Sequence, residues 1–129
     1  MSRVTPDGWR SVTPRIVTPD VSGLVSFLKA VFDAEGELQA ARPTLVTIGD
    51  STIMVSDGDG IRAAMPAFLY VYVADADETY RRAIAAGAEA IEPPRDMPYG
   101  DRRATVRDSW DNLWQIATCI APGQDSARL

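Results

Sequence analysis

Histidine is missing from this chain: none occurs among its 129 residues. That absence excludes Ser-His-Asp and Cys-His nucleophile systems and every histidine-ligated metal site. Cysteine is nearly missing too, and Cys119, the one present, cannot form an internal disulfide. Its expected state is a small hydrophobe on a strand, in a reducing compartment. Positive charge is outnumbered, with 13 Lys and Arg against 18 Asp and Glu and a net charge of -5. Neither nucleic acid nor an anionic membrane surface is therefore an expected partner. No apolar run approaches the roughly 18 residues of a membrane-spanning helix, and the first residues show no signal-peptide pattern. A cytoplasmic location is expected.

What is present describes an ordinary globular chain, 46% hydrophobic and 24% charged, long enough to bury a core. Residues 1–10 read as a loose lead-in. Residues 12–17 read as a strand, with Pro14 marking an edge or a start. Asp20 is the expected N-cap of a helix in which Val21, Leu24, Val25, Leu28, Val31 and Phe32 form one apolar face. Two strands follow, about 44–48 and 52–57, joined by a Gly49-Asp50 turn. A further strand around 37–42 is weakly coded.

The segment 58–66 is a linker by composition. Its Asp57-Gly58-Asp59-Gly60 start resembles a calcium loop, but the twelfth position is Phe68 rather than a bidentate Glu, which argues against calcium. The plan then repeats. Residues 68–73 read as a strand and 75–87 as a helix, with Asp75 and Glu78 spaced as a capping box and Gly87 as the stop. A short strand at 88–92 precedes a loop, EPPRDMPYGD. Residues 103–107 and 113–119 close the unit as a hairpin around the Ser109 to Asn112 turn.

The fold class predicted is α+β. Two tandem βαβββ modules would form a curved mixed sheet around a cleft, with the helices on the outer face. Module one spans about 10–57, the linker 58–66, module two about 67–120, and a loose tail 121–129. Period-two alternation assigns the faces. Val12 and Ile16 should face the first helix, and Leu69, Val71, Trp114, Ile116 and Thr118 the second. Arg15, Met54, Phe68, Tyr70, Tyr72 and Gln115 are left to the cleft, whose faces are expected to hold no carboxylate. An aromatic concavity with a few polar points suits a small molecule. The alternative is packing against a second subunit or another polypeptide.

The stretches VTPDVSGLVSFLKAVFDAE, FLYVYVADADETYRRAIAAGA and VRDSWDNLWQIAT carry a resemblance to a known family. In order and spacing they are similar to the glyoxalase, bleomycin-resistance and extradiol-dioxygenase (vicinal oxygen chelate) superfamily, over about residues 10–120. The resemblance implies metal-ligand positions at Thr13, Phe68, Gln115 and either Met54 or Ser56. Only Gln115 is a ligand of the family kind, so no metal, no cofactor and no catalytic residue is expected. The final turn, Asp108-Ser109-Trp110-Asp111-Asn112, departs from the common D-P-x-G-N form. Tyr99-Gly100 resembles the aromatic-Gly pair of antibiotic-binding members, which are dimers. The resemblance therefore implies a homodimer that sequesters a flat, antibiotic-like molecule. Its ligand-binding residues would be Arg15, Met54, Phe68, Tyr70, Tyr72, Tyr99, Arg103, Trp110 and Gln115. The alternative is a glyoxalase-, epimerase- or dioxygenase-like enzyme with an atypical metal site.

Overall fold

The computed structural model describes residues 4–40 and 42–121. Residues 1–3 of the expected lead-in and 122–129 of the expected tail lie outside the described residues. The chain divides into two compact units, Met1–Pro66 and Ala67–Leu129.

In the first unit, β1 (Arg15–Val17), α1 (Val21–Phe32), β2 (Thr44–Ile48) and β3 (Ser51–Ser56) build a three-stranded mixed sheet in the order β1-β3-β2. The Asp20 carboxylate caps α1, accepting from the Gly23 amide at 3.1 Å, and so satisfies one of the orphan donors at the helix start. Leu24, Val25, Leu28, Val31 and Phe32 are buried as the apolar stripe requires, and Phe27 joins them. Ile16, Val46, Ile53 and Val55 of the sheet are buried too, and α1 lies against β2 and β3.

Two expectations fail in this unit. The first strand begins at Arg15 rather than at residue 12, and Val12 is 79% exposed. Pro14 has no N–H for the ladder; its carbonyl still accepts from the Met54 amide at 2.9 Å, and strand pairing begins only after it. The 37–42 strand does not form among the described residues. A single bridge between Glu35 and Thr47 takes its place, and the Gln39 amide donates to the Thr44 hydroxyl instead of to a ladder. Gly36 makes that bridge possible, because a Cβ there would collide with the Leu45 carbonyl. The 58–66 linker is shaped by a 3₁₀ turn at Gly58–Gly60 and by a bridge from Met65 to Val17.

The second unit orders β4 (Phe68–Tyr72), α2 (Ala76–Ala85), β5 (Glu89–Asp96), β6 (Asp101–Arg107) and β7 (Leu113–Cys119) into a four-stranded sheet, β4-β7-β6-β5. Asp75 caps α2 through the Glu78 amide at 3.2 Å. The Glu78 side chain does not complete the box; it pairs with Arg81 at 2.8 Å and Arg82 at 3.7 Å. Helix α2 lies against β5, β6 and β7, covering Trp114, Ile116, Ala104 and Val106, all fully buried.

The expected loop 92–101 is wrong. Strand β5 continues to Asp96, and only residues 97–100 turn. Pro93 and Pro94 are tolerated because β5 is an edge strand, where a missing N–H leaves no neighbour unpaired. The pairing with β6 shifts register twice around them, between Ala90 and Glu92 and between Glu92 and Arg95, which is the local irregularity a proline pair demands.

The architecture is α+β, with two mixed sheets and two α-helices among the described residues. Among the described residues, no helix is long and apolar enough to cross a membrane.

Candidate functional site

Register places the site. In the second sheet Tyr70 pairs with Gln115, Gln115 with Thr105, and Thr105 with Glu92. One row along, Tyr72 pairs with Ala117, Ala117 with Arg103, and Arg103 with Arg95. Paired residues share a face, so these side chains lie together on the side of the sheet opposite α2. Adjacent arginines show the pleat at work. Arg102 turns to the helix side and holds Asp77 of α2 through two bonds, at 2.6 and 3.1 Å. Arg103 turns to the open face. The Arg102 guanidinium holds the Asp77 carboxyl below the usual carboxylate range.

Asp101 organises the aromatic end of that face. It is fully buried, and its Oδ2 accepts the phenol O–H of Tyr70 at 2.6 Å and of Tyr72 at 2.7 Å. The two rings lie 5.4 Å apart between centroids, tilted by 57°. The Tyr99 hydroxyl lies 3.1 Å from that of Tyr70. Because the Tyr70 proton is given to Asp101, Tyr99 is the donor of that pair. Arg103 Nη1 in turn donates to the Tyr99 oxygen at 3.0 Å. A directed chain thus runs from Arg103 through Tyr99 and Tyr70 to Asp101. Burial first, then the hydrogen bonds to Asp101 and Tyr99, push the Tyr70 phenol above the ordinary tyrosine value.

A second branch leaves Arg103. Its Nη2 meets Glu92 at 3.2 Å, and Glu92 accepts the Thr105 hydroxyl at 2.6 Å. The Gln115 amide nitrogen approaches that hydroxyl at 3.5 Å. The Thr105 bond, seconded by the charges of Arg103 and Arg95, holds the Glu92 carboxyl below its ordinary value. Arg103 Nε is buried with no acceptor, the one such side-chain atom among the described residues.

Six residues expected from sequence thus share this face or its rim: Phe68, Tyr70, Tyr72, Tyr99, Arg103 and Gln115. Arg15 and Met54 are register partners on the first sheet, where Arg15 Nε donates to the Ser56 hydroxyl at 3.2 Å. Trp110 stands half-buried in the turn between β6 and β7, its amide bonded to Asp108. Cys119, expected as a small hydrophobe on a strand, is the last residue of β7 and is exposed.

The expectation of a face without carboxylates is overturned by Asp101 and Glu92. Both were hidden by reading 92–101 as loop. Alternation carried two residues back from Arg103 would have put Asp101 on the same face, and that was the available signal. For Glu92 no sequence signal survives the two prolines that follow it.

The residues at the family's metal positions do not fit a metal. Phe68 has no donor atom, Met54 offers a thioether, and Thr13 and Ser56 offer neutral hydroxyls. Gln115 alone adds one amide, where a divalent transition ion wants about three or four N, O or S ligands. Among the described residues, no group of three or more His, Cys, Asp or Glu is arranged to hold an ion.

Residues 11–116 match the model of the Glyoxalase/Bleomycin resistance protein/Dioxygenase superfamily. TioX from Micromonospora sp. ML1 is similar in structure, with a TM-score of 0.72 and 27% identity over 85% of this chain and 98% of that one. The fosfomycin resistance protein FosX from Mesorhizobium loti shares the fold, with a TM-score of 0.63 and 22% identity over 84% and 91% of the two chains. The uncharacterized protein Rv0887c of Mycobacterium tuberculosis is 25% identical over 126 residues, covering 82% of this chain and 72% of its own.

Proposed function

Since the chain belongs to the Glyoxalase/Bleomycin resistance protein/Dioxygenase superfamily, we propose that it binds and sequesters a flat, aromatic, antibiotic-like molecule without transforming it. The observation that carries this reading is the anchored aromatic row. Tyr70 and Tyr72 are fixed by a buried carboxylate, yet remain 39% and 54% exposed, beside Phe68 at 64%. Rings held before the ligand arrives lose little freedom on binding, and each stacking contact contributes about 0.5–1.5 kcal/mol beyond burial. Tyr99, Arg103 and Gln115 border the row, and Arg15, Met54 and Trp110 complete the proposed contacts. The reading includes a homodimer acting in the cytoplasm, with no metal and no cofactor.

The newly placed carboxylates favour a second reading, acid–base catalysis by Asp101 or Glu92. The geometry supports it less. A general base works best with a value near the operating pH, and Glu92 is held below the ordinary range instead. Asp101 is fully enclosed, with Oδ2 already taken by two phenols.

Native mass spectrometry before and after soaking with divalent metals, followed by fluorescence titration with planar antibiotics, tests the proposal. A metal-free dimer whose tyrosine and tryptophan emission is quenched saturably, with the compound recovered unchanged, is the expected result. One tightly held ion per chain, or turnover of the compound, overturns it in favour of the enzyme.

A further inference from the structure

The chemistry that fixes Tyr70 and Tyr72 also selects the charge of what they bind. A free tyrosine offers a ligand both a π face and a hydroxyl donor. Here both hydroxyl protons are committed to Asp101 Oδ2, at 2.6 and 2.7 Å, so what remains on offer is the ring faces. A phenol donating to a carboxylate gains electron density, and its ring face becomes more negative. Aromatic faces already attract cations through their quadrupole. The 57° tilt at 5.4 Å gives the two rings the form of two walls of an aromatic corner, with one carboxylate at the hydroxyl end of both.

The cations of the same face must be counted against this. Arg103 is paired with Glu92 and Arg107 with Glu89, each at 3.2 Å. Arg95 is on β5, three strands from β4 in the sheet. Its charge acts on Glu92, whose carboxyl it helps hold below the ordinary value. Arg103 reaches the tyrosines only through the Tyr99 hydroxyl and its charge is met by Glu92, while Asp101 is bonded directly to both phenols.

We infer that the Tyr70–Tyr72 corner, backed by Asp101, selects a positively charged planar ring, of the N-alkylated heteroaromatic class, over a neutral ring of the same shape. This rests on the proposed small-molecule function and specifies its ligand class. Asp101 acts through the tyrosines as a positioning and polarising residue.

The test compares two probes of one shape and different charge, N-methylisoquinolinium and 2-methylnaphthalene, by calorimetry or tyrosine quenching at neutral pH. The wild-type protein should bind the cation about tenfold more tightly, a cation–π gain between those usual for exposed and for desolvated rings. In Asp101→Asn, and independently in the Tyr70→Phe/Tyr72→Phe double variant, the ratio of cation to neutral-probe affinity should shrink to about twofold or less, whatever the change in overall affinity as the rings lose their anchor. The double variant keeps both rings at exposed positions, so it remains informative if Asp101→Asn does not fold. Equal binding of the two probes by the wild type overturns this inference and leaves sequestration standing. A cation preference that survives in both variants overturns the role of Asp101. Binding of neither probe removes the proposed function together with the inference.

Discussion

The Asp108 carboxylate accepts the indole N–H of Trp114 at 2.8 Å, tying the β6–β7 turn to the largest fully buried side chain. Asp108 also accepts from the amides of Trp110 and Asn112 and from the Asn112 side chain, each at 2.9 Å. The Asn112 oxygen then receives the Ala67 amide at 2.8 Å, at the entry to β4. The turn is closed by these bonds and by the Asp111 amide donating to the Asp108 carbonyl at 3.3 Å, and Asp111 sits in it at φ 71° without being glycine. Aspartate tolerates that region better than most residues.

Asp108→Ala strands the Trp114 and Asn112 donors at fully buried positions. Hydrogen bonds to a charged group contribute about 1.5–3 kcal/mol each, and stranded donors add desolvation. A loss of about 3 kcal/mol in urea unfolding is expected, with a changed tryptophan emission. An unchanged midpoint would mean the turn is not bonded as described.

Tyr70 should be silent in an alkaline titration until well above the ordinary tyrosine value of 10.0. Absorbance near 295 nm, reporting the chain's 4 tyrosines, should show a late component that Tyr70→Phe removes. The folded value is raised, so the stabilisation is complete below the unfolded value and is lost as pH rises towards the folded one. Alkaline unfolding of Tyr70→Phe should therefore be less steep. Loss of an early component instead would contradict the network.

Glu92 works in the opposite direction. Its folded value is depressed, chiefly by the Thr105 hydroxyl, so its stabilisation is present above the unfolded value of about 4.3 and is lost as pH falls through the folded value. Thr105→Val should lower the urea midpoint at neutral pH and narrow its difference from the midpoint in acid. A parallel shift at both conditions would show that Thr105 acts by packing alone.

Gly36→Ala probes the first unit. A methyl group there meets the Leu45 carbonyl, a backbone atom that cannot rotate away. The substitution should destabilise by more than about 1 kcal/mol, read as a lower urea midpoint. Gly49→Ala makes a control, since a Cβ at Gly49 meets nothing within 4 Å while its φ of 57° is likewise left-handed. If the two variants lose equal stability, backbone conformation rather than the close approach explains Gly36.

The periodic elements were legible in the sequence because their signals are local. The spacing of Leu24, Leu28 and Val31, the caps at Asp20 and Asp75, and the alternation through Phe68, Tyr70 and Tyr72 need no knowledge of neighbours. Together with the repeated strand–helix order, they determined the α+β class and the face on which the aromatic row would stand. The absence of histidine determined equally early which chemistries the chain does not use.

Other features were decided only by tertiary structure. Pro93 and Pro94 argue for a loop unless β5 is known to be an edge strand, and edge position belongs to the whole sheet. With that loop assumed, Glu92 and Asp101 were off the map. The joining of Tyr70 and Tyr72 to Asp101 depends on pairing β4 to β7 and β7 to β6, contacts between residues about 30 positions apart. The sequence by itself determined which side chains share the face opposite the second helix; the sheet's register decided which carboxylate their hydroxyls reach, because a hydrogen bond is a matter of distance and distance is set by the fold.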